Sequence, residues 1–199
     1  MLYIFTVKKH GYAEIIEKRS KFITNVYPVS SQVEANDIIN KTRKQYYDAK
    51  HNVYAYIIEG SSTYSKYTDD GEPQGTAGLP IYDMLQKKEL KNVLVIVTRY
   101  FGGVLLGTGG LVRAYTEAAK QGLKEAEIVN LRKMKRIKFE FSYEFKDKIL
   151  FYLKDEEYNS KEVLYGENVR IMINIPEDEE KSFITKLVEM TENKIIFID

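Results

Sequence analysis

Apolar positions in the first part of the chain follow a strand period and then a helix period. Segments rich in β-branched and aromatic residues predict strands at 2–7, 12–18 and 21–29. Ser31-Gln32-Val33-Glu34 forms a capping box, and apolar residues continue from it at helical spacing as far as Tyr46. The pattern therefore predicts a first helix directly after the third strand.

The middle of the chain contains a polar segment, an apolar strand and a glycine-rich loop. A strand is predicted at 53–58, whereas 60–78 is polar and turn-rich. Pro80 suits the first turn of a short helix. The run 93–97 is continuously apolar and β-branched, which predicts a strand covered on both faces. Five glycines then lie between 102 and 110 and lead into an amphipathic helix.

After Asn130 the pattern starts again and predicts a second domain. The predicted elements are a strand at 137–143, a helix around 145–153, a hairpin of 163–165 with 169–175, a helix opened by Pro176 and a strand at 195–198. This β-α-β-β-α-β order is that of the ferredoxin-like split βαβ unit. We predict an α+β protein of two domains, 1–130 and 131–199, with the boundary in the basic run 132–136.

Composition and charge remove several classes of function. The chain has 199 residues with 30 basic and 29 acidic side chains, so a net charge of +1 gives no overall attraction to nucleic acid or membranes. It has no cysteine, which excludes disulfides, zinc–thiolate sites and cysteine nucleophiles. No apolar run is long enough to span a bilayer. We expect a cytoplasmic protein without a membrane partner.

The glycine-rich loop is the first candidate for chemistry. It lacks the lysine of a P-loop and the third glycine of a dinucleotide fingerprint. Because it leads into a helix, its amides favour an anion, and two arginines flank it. The predicted anion or nucleic-acid site comprises Arg99, Thr108, Gly109, Gly110 and Arg113. The alternative is a tight strand-to-helix connection in which Arg113 pairs with Glu117.

The polar segment before Pro80 is the second candidate, because it places three carboxylates within four residues beside hydroxyl groups. Its candidate residues are Asp69, Asp70, Glu72 and Thr76, to which His51 is added as a possible base. Magnesium binding, acid–base catalysis and simple turn chemistry all remain open for this segment. For His51, a structural role and a role as a general base remain open.

Basic residues and tyrosines supply a third candidate. The basic run contributes a secondary patch of Arg132, Lys133, Lys135 and Arg136. Several tyrosines lie near lysine or arginine in the sequence, and aromatic rings can stack on bases while cations hold phosphates. Half-buried positions in sheets are the alternative explanation of the tyrosines.

Four motifs together resemble the IMPACT/YigZ family. They are Arg19-Ser20-Lys21-Phe22-Ile23, Ala49-Lys50-His51, the segment 69–80, and the segment 97–103 continued to Arg113-Ala114-Tyr115. The resemblance implies an N-terminal domain like domain IV of elongation factor G, with a left-handed βαβ crossover. It also implies a ferredoxin-like second domain like domain V of that factor.

The resemblance also implies a role in translation. Eukaryotic relatives regulate translation by competing for the activator of an amino-acid-sensing kinase, through a longer chain with an additional N-terminal domain. We therefore expect a non-enzymatic, translation-associated regulator that binds RNA, the ribosome or a translation-related protein, with no cofactor, resident metal or catalytic residue. The alternative is an enzyme or small-anion-binding protein in which Asp69, Asp70 and Glu72 face the glycine-rich loop.

Overall fold

The protein is described by a computed structural model that covers residues 3–60, 62–154 and 161–198. It forms two compact units, one comprising Ile4–Leu131 and the other comprising the described residues from Arg132 onward together with Tyr3. The predicted α+β class with two domains is confirmed. Leu2, where the first strand was predicted to begin, lies outside the described residues.

The first unit is built around a five-stranded antiparallel sheet. Its elements are β1 (Tyr3–Val7), β2 (Gly11–Glu17), β3 (Ser20–Pro28), α1 (Gln32–Gln45), β4 (His51–Glu59), β5 (Thr63–Thr68), α2 (Gly78–Lys87), β6 (Val93–Tyr100), α3 (Thr108–Ala126) and β7 (Ile128–Arg132). The strand order is β2-β3-β6-β4-β5, and β1 pairs separately with β7. Because β3 and β4 both run antiparallel to β6, α1 is a crossover between two strands of the same direction.

Helices cover both faces of this sheet. Residues of α1 pack with Tyr54, Tyr56 and Leu94 on one face, whereas α2 and α3 pack with Val53, Val95 and other core residues on the opposite face. The prediction that β6 is covered on both faces is confirmed, since its first seven residues are all buried. Continuous apolar runs are expected in strands that have no solvated face.

The segment 60–78 contains a strand that the polar pattern did not predict. Five of the six residues of β5 are exposed, and β5 is an edge strand held by antiparallel pairing with β4. An exposed edge strand needs no apolar face, so its sequence resembles a loop.

Gly102 allows the glycine-rich loop to lie against the turn between β2 and β3. A Cβ atom at Gly102 would lie 2.0 Å from the carbonyl carbon of Arg19, too close for any other residue type. The amide of Gly102 also donates a hydrogen bond of 3.2 Å to the Ser20 hydroxyl. This close approach fixes the end of β6 beside the start of β3.

The second unit has the predicted ferredoxin-like order. Its elements are β8 (Met134–Phe141), α4 (Lys146–Tyr152), β9 (Lys161–Tyr165), β10 (Val169–Pro176), α5 (Glu180–Met190) and β11 (Ile196–Ile198), in an antiparallel sheet ordered β11-β8-β10-β9. Phe139, Ile171 and Phe183 are among the buried residues of its core. One boundary differs from the prediction, because Pro176 ends β10 and α5 begins only at Glu180.

Candidate functional site

Strand register brings together residues that are far apart in sequence. Arg99, near the end of β6, lies opposite Phe22 of β3 on one side and opposite His51 of β4 on the other. The loop that follows β5 then places Glu72 beside the same arginine. The sheet thus gathers one base, one acid and one guanidinium at the end of its central strand.

A buried acid–base cluster results. Nη1 of Arg99 donates to Oε1 of Glu72 at 2.8 Å, and the Tyr115 hydroxyl of α3 donates to the same oxygen at 2.7 Å. The residues Arg99, Glu72 and Tyr115 are 5%, 8% and 0% exposed. Buried charges are retained only where they are paired and hydrogen-bonded, and this cluster meets both conditions.

The phenol of Tyr115 is held neutral by this environment. Burial raises its pKa well above the ordinary value, and the adjacent negative charge of Glu72 raises it further. Tyr115 therefore stays a hydrogen-bond donor to the carboxylate across the physiological pH range. Glu72 in turn carries a negative charge that Arg99 balances.

Arg99 is fixed on several sides. Its guanidinium carbon lies 5.5 Å from the ring centre of Phe22 and 5.6 Å from that of Phe101. Nη2 donates to the Ser20 hydroxyl at 3.2 Å. Its Nε is buried and has no hydrogen-bond partner within the part of the chain that the structure describes. The residue is thus anchored, with one donor left over.

His51 borders this cluster. Its Nδ1 lies 2.9 Å from the carbonyl oxygen of Asp70, which can only accept, so Nδ1 carries the proton. Its Nε2 lies 3.9 Å from Oε1 of Glu72. Nε2 is therefore the ring nitrogen that faces the carboxylate.

The other predicted residues of the polar segment hold its backbone in place. Asp69 accepts hydrogen bonds from the amides of Gly75, Ala77 and Gly78, at 2.8, 3.1 and 2.8 Å. The hydroxyl of Thr76 donates to the carbonyl of Pro73 at 2.6 Å. These contacts are the turn chemistry that was one of the three possibilities for this segment.

Asp70 also has a structural position. It accepts a 2.7 Å hydrogen bond from Arg43 and a 2.6 Å hydrogen bond from the backbone amide of Asn52. Its two carboxylate oxygens therefore join α1 and β4. Of the three clustered carboxylates, only Glu72 is directed to the cluster around Arg99.

Both predicted loops border one open cleft of about 400 Å³. Gly71, Glu72 and His51 line one part of it, and Gly107 and Thr108 at the start of α3 line another. The first helical hydrogen bond of α3 runs from the Leu111 amide to the Gly107 carbonyl, so the amides of 108–110 precede it. A helix start of this kind favours a negative charge.

The five residues of the predicted anion site are not all together. Arg99 and Thr108 line the cleft, whereas Gly110 and Arg113 line a neighbouring cavity of about 650 Å³ that also includes Glu17 and Lys18. Gly109 is exposed on the first turn of α3. The cleft also includes Lys50 and Phe101, which were not among the predicted site residues.

The predicted basic patch is largely paired with acidic residues of its own unit. Arg132 bonds to Asp178 and Glu179 at 2.8 and 2.7 Å, and its hydrogen bond to Asp178 lowers the pKa of that carboxyl group. Lys133 and Lys135 pair with Glu177 and Glu180 at 3.0 and 2.6 Å, and Arg136 donates to Asn174 at 3.4 Å. Pairing of this kind reduces the positive potential that the sequence indicated.

The described part of the chain comprises residues 3–60, 62–154 and 161–198. Within these ranges, no group of three or more His, Cys, Asp or Glu residues is arranged to hold a metal ion. No helix in the same ranges combines the length and apolarity needed to cross a membrane.

Tyr115 and Ser20 are the cluster residues that sequence reasoning did not place in a site. Tyr115 follows the apolar period of α3, so the sequence presents it as a core residue. Ser20 is a small residue of a turn. The motifs that carry the family resemblance contain both, and this was the one signal that could have identified them.

Comparison with known proteins assigns both units. A family described as the Impact N-terminal domain matches residues 18–123, and a domain of unknown function, DUF1949, matches residues 141–194. A Bacillus subtilis protein named IMPACT family member YvyE is 39% identical over 190 residues, covering 96% of this chain and 88% of the relative.

A solved structure agrees with the fold over the whole chain. A crystal structure of a hypothetical protein covers 100% of this chain and 97% of its own, with 25% identity and a TM-score of 0.66. A structure titled as the two-domain translational regulator Yih1 covers 61% of this chain and 46% of its own, with 25% identity. Its TM-score of 0.39 is too low to carry a structural argument.

Proposed function

Because this chain belongs to the IMPACT family, we propose that it is a non-enzymatic, translation-associated regulator that binds RNA of the ribosome in the cytoplasm. The family resemblance suggests the process, and the cleft beside α3 supports an anionic ligand. The observation that carries the proposal is that the start of α3, Lys50 and the buried Arg99 line the same cleft.

The electrostatics of the cleft favour phosphate. Lys50 is exposed at its rim, and the helix start of α3 adds a partial positive charge. The carboxylate of Glu72 would repel an anion, but Arg99 balances its charge and Tyr115 donates to it. The cleft therefore presents positive potential without an opposing free carboxylate from Glu72.

Phosphate binding predicts a strong dependence on salt, because each neutralised phosphate releases counterions. The test is sedimentation of the protein with ribosomes, together with filter binding to ribosomal RNA, over a series of salt concentrations. Lys50→Glu is expected to weaken binding at least about threefold and to reduce the salt slope by about one.

Lys41→Glu is the matched control. Lys41 is exposed on α1 and does not line the cleft, so the same change of charge should leave binding nearly unaltered. Wild-type protein that binds neither ribosomes nor RNA at low salt would refute the proposal. If the two substitutions weaken binding equally, the binding surface lies outside the cleft.

A small-anion-binding protein is the second candidate, because the two predicted loops do line one cleft. His51 and Glu72 lie there with 3.9 Å between Nε2 and Oε1, beside the start of α3. Titration with inorganic phosphate, followed by amide NMR, tests this candidate. Saturable shifts at 107–111 without any binding of RNA or ribosomes would favour it over the first.

A further inference from the structure

Phe101 presents an aromatic ring at the cleft. Its side chain is 51% exposed, although the Arg99 guanidinium lies 5.6 Å from the ring centre. Arg99 is itself anchored by Glu72 and Ser20. The ring is therefore supported by a fixed cation and still offers open aromatic surface, which suits a stacking platform.

The same cleft offers a place for a charged group next to this ring. Thr108 begins α3, and Gly107 before it provides no side-chain cap for the helix amides. Arg99 adds an independent observation, since it lines the cleft, is 5% exposed and keeps a buried Nε without a partner among the described residues. Lys50 contributes an exposed cation at the rim.

The walls between these features are largely apolar. Pro73, Leu105 and Leu106 line the cleft, and Leu105 is 83% exposed. The volume of about 400 Å³ lies within the usual range of sites for small organic ligands. A ligand that matches this lining has a flat apolar part and an anionic part joined by a short linker.

We infer that the cleft binds one unpaired nucleotide, with its base stacked on Phe101 and its phosphate at the first turn of α3. This inference rests on the proposed function and adds to it that the RNA is recognised where it is single-stranded. In a duplex the base faces are covered by neighbouring base pairs, so they cannot stack on a protein ring. A free nucleoside monophosphate has the same chemistry and is the other source of such a ligand.

The test uses fluorescence anisotropy with the full chain and three probes. These are a short single-stranded RNA, the duplex of the same sequence, and adenosine monophosphate, each carrying its own fluorophore. Phe101→Leu removes the aromatic face, whereas Phe101→Tyr keeps it. Phe151→Leu, at a site that is 75% exposed in the second unit, is the matched control. Circular dichroism shows whether each variant is folded.

We expect the single strand to bind at least about tenfold more tightly than the duplex. Phe101→Leu is expected to weaken that binding by roughly five- to a hundredfold, the range measured for one stacked base, while Phe101→Tyr and Phe151→Leu stay near wild type. The inference is overturned if single strand and duplex bind with equal affinity. It is also overturned if Phe101→Leu binds the single strand as tightly as the wild type does. The comparison of the two wild-type probes does not depend on the folding of any variant.

The outcomes separate this inference from the proposed function. If the wild-type protein binds RNA and Phe101→Leu binds it with the same affinity, the inference is overturned and the proposed function is not. Binding of adenosine monophosphate that Phe101→Leu abolishes, without binding of RNA or ribosomes, supports the nucleotide site and refutes the proposed function. Binding of none of the probes refutes both.

Discussion

Replacing Glu72 by glutamine removes one negative charge from the buried cluster and almost no volume. The glutamine oxygen can still accept hydrogen bonds from Arg99 and Tyr115, which lie at 2.8 and 2.7 Å from the native oxygen. The guanidinium of Arg99, 5% exposed, would then have lost its counter-ion. The substitution therefore isolates the electrostatic part of the cluster.

The expected loss of unfolding free energy follows from this geometry. Removing one partner of a buried ion pair costs about 3–5 kcal/mol, because the other charge stays buried without compensation. The retained hydrogen bonds place Glu72→Gln near the lower end, at about 3 kcal/mol. Tyr115→Phe removes one hydrogen bond to a charged group and is expected to cost about 2 kcal/mol. In the double variant the two losses should not add, since both residues share one oxygen.

The assay is urea unfolding followed by far-ultraviolet circular dichroism. The transition of the first unit is fitted separately, because the two units need not unfold together. Glu17→Gln is the matched control, since Glu17 is exposed on β2 and should change stability by less than about 0.5 kcal/mol. A loss below about 1 kcal/mol for Glu72→Gln would refute the reasoning that Arg99 depends on this carboxylate.

The pH dependence supplies a second readout of the same cluster. The pKa of Tyr115 is raised by burial and by Glu72 from its ordinary value of 10.0, so the unfolded chain releases this proton first. The stabilising contribution is therefore complete below about pH 10 and declines as the pH rises further. Tyr115→Phe should remove that part of the alkaline loss of stability.

Three further predictions concern the surrounding framework. Gly102→Ala should lower the free energy of unfolding by more than about 3 kcal/mol, because its Cβ would lie 2.0 Å from backbone atoms. Gly103→Ala should lower it by about 1 kcal/mol, because Gly103 has φ +83° but open space around it. Thermal unfolding of both variants tests the contrast. Asp69→Ala should cost about 2 kcal/mol by leaving three backbone amides without their acceptor, measured by urea unfolding. Asp48→Asn should lower the pKa of Tyr100 from about 12. The pKa should stay above its ordinary value, because burial is the larger cause of the shift. NMR of labelled tyrosine measures this pKa.

Local patterns were sufficient for most of the fold. One half of the predicted capping box before α1 is present, with the Glu34 amide donating to the Ser31 hydroxyl at 3.2 Å. The Glu34 carboxylate differs from the prediction, because it accepts from the amide of Ser30 at 2.8 Å and not from that of the N-cap residue Ser31. The order of elements in the second unit was also predicted correctly. β5 was missed because an exposed edge strand has no apolar face, and local pattern is what the prediction used.

The candidate site depended more on long-range contacts. The sequence alone placed Asp69, Asp70 and Glu72 in one group. That Asp69 and Asp70 accept hydrogen bonds from backbone amides depends on the strand register and on the path of the loop. The sequence also could not show that acidic residues 177–180 neutralise the basic run. Charge runs are visible in a sequence, whereas their partners depend on the fold.

Amide hydrogen exchange, measured before and after addition of ribosomes, tests directly whether RNA binds at the start of α3. Amides 108–110 precede the first hydrogen bond of α3, so a phosphate bound there should slow their exchange markedly. We predict protection at 108–110 and little change at 132–136. Protection confined to the basic run, with unaltered exchange at the start of α3, would show that RNA does not bind at the start of α3.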